Sequence, residues 1–291
     1  MKLNPFTPGS IKVGRAGGGR GGFPGGGGGK LGCGTLVLAA IGALVFGIDP
    51  MQTIGMVEGV QQSSPSGQVT SGELDEKYCY ENEYATESCN ALASLNQAWE
   101  PLFQQAGIAF ETPALRFPAT QQFNTACGSA NTGMGPFYCP ANQTIYIDTT
   151  FYETMARRMG AAGDFARYYV MAHEYGHHVQ HMTGLAGQIR SAQQQNPRAA
   201  NQLQVAMELQ ADCYAGVWAA KNRNLIEPGD LQEGMRAASA IGDDTLQRNA
   251  GQRVNPESFT HGSSAQRMQW LKRGLETGDD EACDTFAQYR S

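Results

Sequence analysis

The sequence predicts an α+β protein: a mostly helical domain with a small β-sheet, behind an N-terminal transmembrane helix. Three observations predict it. An uncharged apolar run lies near the N-terminus, a series of helix start signals follows, and two short aromatic and β-branched segments interrupt that series.

The chain of 291 residues opens with a glycine-rich stretch that includes Lys2, Lys12, Arg15, Arg20 and Lys30 and has no acid before Asp49. Such a composition cannot bury a core, so residues 1–30 read as a flexible basic tail. From Leu31 to Ile48 (LGCGTLVLAAIGALVFGI) there is no charge. As a helix, 18 residues would span roughly 27 Å, close to the hydrocarbon thickness of a bilayer. The positive charge on its N-terminal side places the N-terminus in the cytoplasm and the rest outside. A cleaved signal fits less well, because no A-x-A site follows the run. The sequence therefore predicts a single-pass cell-membrane protein anchored in the lipid bilayer through residues 31–48. Residues 49–72 read as a linker, and residues 73–291 as one extracytoplasmic (periplasmic) domain.

Within that domain, Ser88 to Gln105 reads as a helix interrupted or ended near Pro101. PFYC (136–139) and TIYID (144–148) read as a hairpin or two short strands. Thr150 with Glu153 offers a capping box for a helix through Met159. Asp164 can cap a helix from Phe165 to Met182, where apolar residues recur at helical spacing and Gly184 supplies a stop. Asn196-Pro197 opens a longer helix through about Lys221. Asp230 with Glu233, and Ser263 with Gln266, offer capping boxes for helices over 231–241 and around Trp270.

The formal charge of −6 is asymmetric: after residue 48 there remain 16 basic against 27 acidic residues, a net of −11. An acidic domain argues against nucleic acid as a partner. Six cysteines follow the apolar run, an even number that suggests disulfides in an exported domain. Fifteen pairings are open. Local spacing favours Cys79–Cys89 and Cys127–Cys139, which leaves Cys213 with Cys283. Oligomeric state is not legible.

Four of the five histidines fall in HEYGHHVQH, residues 173–181. On a helix, His173 and His177 present two imidazoles to one point, the spacing that supplies two ligands of a tetrahedral zinc. Glu174 lies beside that point, where a carboxylate can take a proton from water. An accidental His-Glu-x-x-His in a chain of this composition is expected on the order of 0.005 times. Gly176 costs helix stability, usefully so if another backbone must approach there. A catalytic zinc takes a third protein ligand and keeps one position open. The variant with a third histidine six residues after the second is excluded, because Thr183 stands there. Glu208 in MELQADCYAG reads as the third ligand. Asp212, on the same helix face, reads as the acceptor of a ligating histidine's second N–H. His181 is a possible fourth ligand that would close the site, or a rim or core residue; His178 points away and is packed or exposed. His261 could donate to a developing oxyanion, and Arg267 could pair with Asp212 or a substrate carboxylate.

These stretches, together with GIDP (47–50), ACG (126–128), GPFYCP (135–140), AIGDD (240–244) and ESFTHGSSAQR (257–267), resemble the bacterial neutral zinc metallopeptidase family, the YpfJ-like proteins. The similarity covers nearly the whole chain. The resemblance implies a membrane-anchored zinc peptidase with a zincin-like fold and one Zn2+ per chain, acting on a peptide or protein substrate. It places His173, His177 and Glu208 as ligands and Glu174 as general base. Two histidines and a glutamate from a following helix also resemble the gluzincins, in which a strand here near Thr144–Asp148 would form the upper rim of the cleft and pair with an extended peptide. Two other readings share the same residues: a membrane-tethered binding protein with structural zinc, and a zinc hydrolase of a non-peptide amide.

Overall fold

The computed structural model describes residues 1–17 and 74–289. A four-stranded sheet has the order β1 (Lys12–Ala16), β2 (Ala114–Pro118), β6 (Thr144–Tyr146), β5 (Phe137–Cys139). Its first three strands run parallel and β5 is antiparallel. A separate hairpin is formed by β3 (Gln122–Thr125) and β4 (Gly128–Asn131). Eight α-helices occur among the described residues: α1 (Glu83–Ala106), α2 (Thr150–Arg158), α3 (Asp164–Met182), α4 (Leu185–Gln195), α5 (Ala200–Lys221), α6 (Asp230–Ala240), α7 (Asp243–Asn249) and α8 (Ser264–Thr277). The mostly helical α+β class follows. Both sheet faces are covered, as parallel strands require. Val13, Leu115, Phe117 and Ile145 join the main core with Leu92, Leu95 and Tyr175, while Ala16 and Tyr146 pack with Phe123 and Met134 under the hairpin.

The first 17 residues correct the predicted tail. Met1, Phe6, Ile11 and Val13 are buried, β1 pairs with β2 from Lys12↔Ala114 to Ala16↔Pro118, and the ammonium of Met1 lies 2.7 Å from Asp230 and 2.9 Å from Asp164. Glycine-rich composition hid a strand whose neighbour is about a hundred residues away. The predicted span, 31–48, lies outside the described residues, and no helix among those described is long and apolar enough to cross a membrane. A single crossing there would put β1 and β2 on opposite sides of the bilayer. With β1 paired to β2, a single-pass topology with a cytoplasmic N-terminus is not supported.

Other expectations shift by local chemistry. Helix α1 begins five residues early, because the Asn82 side chain accepts from Ala85 N–H. It then runs through Pro101 to Gly107, whose φ of 69° is the left-handed turn that glycine tolerates. The capping boxes at Thr150 and Asp230 do not form. Asp148 accepts from the Thr150 N–H instead, and Asp230 takes the Glu227 N–H. At Asp164 the cap residue is Gly163, and Glu233 reaches across to accept from Phe165 N–H. The Ser263–Gln266 box is present, and Gly184 ends α3 in the left-handed conformation. Helix α4 was not foreseen: none of its residues is buried, so its sequence carries no strong apolar stripe. All three favoured disulfides are formed, Cys79–Cys89, Cys127–Cys139 and Cys213–Cys283. They agree with folding in an oxidising compartment.

Two close approaches set the helices around the site. A Cβ at Gly176 would fall 2.9 Å from the Ala211 Cα, so the missing side chain lets α5 lie directly on α3. Glycines at 216 and 274 do the same between α5 and α8, where a Cβ at Gly274 would meet the Cys213 carbonyl at 1.9 Å. These contacts bring Glu208 and Asp212 on α5, and Arg267 on α8, up to the histidines of α3. The strand expected to line the rim, β6, is interior; β5 is the edge, with no strand partner on its outer side among the described residues.

Candidate metal centre

Helix α3 places His173 and His177 one turn apart on its buried face, with ring centroids 4.9 Å apart. Opposite them, Glu208 Oε2 stands 3.1 Å from His173 Nε2 and 3.6 Å from His177 Nε2. Two ligand atoms of a tetrahedral zinc lie about 3.3–3.5 Å apart, so the spacing of this donor set matches. The electrostatics also call for a cation. Burial pushes both imidazoles down, yet Asp212 and Glu208 outweigh it, raising His173 to about 9 and His177 above its usual value. Burial pushes Glu208 up, but His177 and His173 hold it well below the carboxylate range. A proton and a metal ion would compete for the same point. The residues fit zinc.

Asp212 is fully buried behind His173. Its Oδ1 accepts from His173 Nδ1–H at 2.8 Å, from the Tyr169 hydroxyl at 2.6 Å and from Arg267 Nη2 at 2.9 Å; Oδ2 accepts from Arg267 Nε at 2.8 Å. Because the Nδ1 proton is spent on Asp212, the 3.3 Å approach of Arg267 Nη2 to Nδ1 is a contact between two donors and not a hydrogen bond. Burial pushes the Asp212 carboxyl up, but Arg267 and His173 outweigh it and hold it ionised. This network turns Nε2 of His173 toward Glu208. Tyr169 had no signal in the sequence beyond an apolar helix position.

Glu174 is buried, and its side chain makes no hydrogen bond or ion pair among the described residues. Its neighbours are engaged while its carboxylate stays free. His261 lies close enough to Glu208 for its charge to lower that carboxylate. Its Nδ1 lies 3.2 Å from Asp243 Oδ1, and Asp243 Oδ2 accepts the backbone N–H groups of Thr260, His261 and Gly262. The sequence reading missed Asp243, although AIGDD was among the stretches singled out.

His181 is not part of the donor set; its ring faces Tyr138 at 6.1 Å. A second acidic group is Asp164, Asp230 and Glu233; the Met1 ammonium engages the two aspartates, and Glu233 accepts the Phe165 N–H. Cavities of about 190 and 310 Å³ lie elsewhere, at the carboxyl ends of β1 and β2 beside Arg15 and against Lys221. Neither is lined by a predicted site residue.

His178 is packed. It donates Nε2–H to the Glu111 carbonyl at 2.7 Å and accepts the Tyr138 hydroxyl on Nδ1 at 3.0 Å, tying β5 to α3. Burial pushes it down to about 4. Its folded value is below its unfolded value, so the unfolded chain binds the extra proton and stability falls as pH drops from 6.5 to 4. The loss is about 1.4 kcal/mol per pH unit and about 3 kcal/mol in all. Urea unfolding across this window is expected to show the gap between wild type and His178→Gln narrowing as pH falls. A gap that stays constant would assign the pH dependence to other groups.

A family model described as "Putative neutral zinc metallopeptidase" matches residues 7–286. The chain belongs to this family. Proteins similar to it include the uncharacterized protein YpfJ of Escherichia coli (strain K12), 41% identical over 262 residues that make up 88% of each chain. The uncharacterized protein Rv2575 of Mycobacterium tuberculosis (strain ATCC 25618 / H37Rv) is 38% identical over 263 residues, 84% of this chain and 85% of its own. No solved structure matches. The match to this zinc metallopeptidase family begins at residue 7, within the N-terminal segment that carries β1.

Proposed function

We propose that this protein is a zinc-dependent peptidase of an extracytoplasmic compartment that hydrolyses peptide bonds in peptide or protein substrates. The observation that carries this reading is the free Glu174 carboxylate beside a three-atom donor set whose other sides are already hydrogen-bonded. His173, His177 and Glu208 would hold one zinc. When bound, zinc supplies a Lewis acid that polarises the scissile carbonyl and acidifies water. Glu174 takes the proton from the attacking water and passes it to the leaving amine. His261, oriented by Asp243, donates Nε2–H to the oxygen of the former carbonyl as charge develops there. Main-chain groups of an extended substrate pair with the outer edge of β5, which Tyr138 and His178 hold against α3.

Zinc content and cleavage of unstructured casein test the reading together. The wild type is expected to carry one zinc per chain and to cleave in a chelator-sensitive manner. Glu208→Ala should lose both. Zinc that survives this change, with no cleavage by the wild type, would overturn the peptidase reading in favour of a structural ion.

A further inference from the structure

We infer that Gln180 is a positioning residue that fixes the tautomer of His177, so that the Nε2 lone pair of that imidazole faces the metal point. The inference rests on the zinc reading of the site and concerns a side chain on the far side of the ring. His173 has an ionised carboxylate behind it; His177 has none. Its Nδ1 lies 2.9 Å from Gln180 Oε1, and Gln180 is fully buried.

An amide can present either end, so the direction of this contact needs an independent anchor. The structure supplies two. Gln180 Nε2 lies 2.8 Å from the Met207 carbonyl, which can only accept. It also lies 3.0 Å from Gln210 Oε1, and Gln210 Nε2 donates at 3.1 Å to the Cys283 carbonyl, again an obligate acceptor. Both backbone carbonyls force the nitrogen ends of the two amides toward themselves. The oxygen of Gln180 must then face His177, and the only group it can bind there is an Nδ1–H. With that proton on Nδ1, the neutral ring leaves Nε2 bare on the side of Glu208. A flipped Gln180 would set its oxygen against the Met207 carbonyl, so the wrong tautomer costs a buried unpaired group as well as a ligand.

The outer anchor lies beside the Cys213–Cys283 bridge, which pins the C-terminal segment to α5. One ligating histidine is thus oriented by a charge and the other by a chain of neutral amides. Neutral wiring holds the ring without adding a further buried carboxylate to a site that already has Glu208 and Asp212.

The test uses the full chain with 15N-labelled histidine. In the metal-free wild type, at a pH where the ring is neutral, His177 is expected as the Nδ1–H tautomer. Finding it as Nε2–H overturns the inference without any variant. Gln180→Leu removes the acceptor: it should populate the Nε2–H form and weaken zinc binding about 10–100-fold in a chelator competition. Gln180→Glu keeps an acceptor for Nδ1–H, although its second oxygen meets the Met207 carbonyl at a cost in stability, so it should hold the Nδ1–H tautomer and keep more zinc than the Leu variant. Leu and Glu variants that lose zinc equally, or a Leu variant that loses none, would reduce Gln180 to a packing residue. Should the wild type bind no zinc, the peptidase reading fails, while the tautomer measurement still decides the role of Gln180.

Discussion

Glu174→Gln is expected to abolish peptide hydrolysis while leaving zinc content and folding unchanged. The amide is isosteric with the carboxylate and can occupy the same space, but it cannot take a proton from water. General-base assistance of this kind is worth about 10²–10⁴-fold. The local setting makes this variant unusually clean. The Glu174 side chain makes no hydrogen bond or ion pair among the described residues, so replacing its charge breaks no partner's contact. It is also not part of the ligand set, so metal content should match the wild type. The measurement is the turnover number on a peptide, with zinc determined on the same sample. Hydrolysis retained in a zinc-loaded variant would remove Glu174 from the chemistry.

The second large effect is on stability. Arg267→Met is expected to destabilise the fold by about 3–5 kcal/mol, because it strips the buried Asp212 carboxylate of both guanidinium hydrogen bonds and of the larger of its two counter-charges. For a domain of this size that corresponds to a fall in Tm of roughly 6–20 °C. Arg267→Lys should recover little. Both Nε and Nη2 of the guanidinium are in use on the two Asp212 oxygens, and an ammonium cannot reproduce that fork. Asp212→Asn combined with Arg267→Met should recover part of the loss by removing the stranded charge. Thermal unfolding of the three variants checks the series. An Arg267→Met protein that melts with the wild type would mean that Asp212 is not held ionised by this arginine.

The parts of the site legible in the sequence are those written within one helix. His173, Glu174 and His177 fall within two adjacent turns, and Glu208 and Asp212 share a face, so periodicity alone aligns them. The partners other than Asp212 are harder to read. Gln180 is local to His177, but glutamine is common in this chain and the direction of its amide is set by carbonyls of Met207 and Cys283. Asp243 and His261 meet across 18 residues, with one carboxylate oxygen collecting three backbone donors. No spacing rule marks such a turn. Two disulfides were legible because short loops favour local closure, and the third by elimination; β1 was not, because a glycine-rich run follows it and its partner β2 lies about a hundred residues away. Composition described the solvent preference of those residues and missed their hydrogen bonds.

The pairing of β1 with β2 has a bearing on how the protein can be handled. A chain shortened to residues 73–291, the boundary composition suggests, would begin after the strand that covers one side of β2. The peptide groups of Ala114–Pro118 would then face water along a flat parallel edge, next to the uncovered side chains of Leu115 and Phe117. Such an edge is a template for another copy of itself. Solubility, in that shortened form, would depend on seventeen residues at the far end of the sequence from the metal ligands.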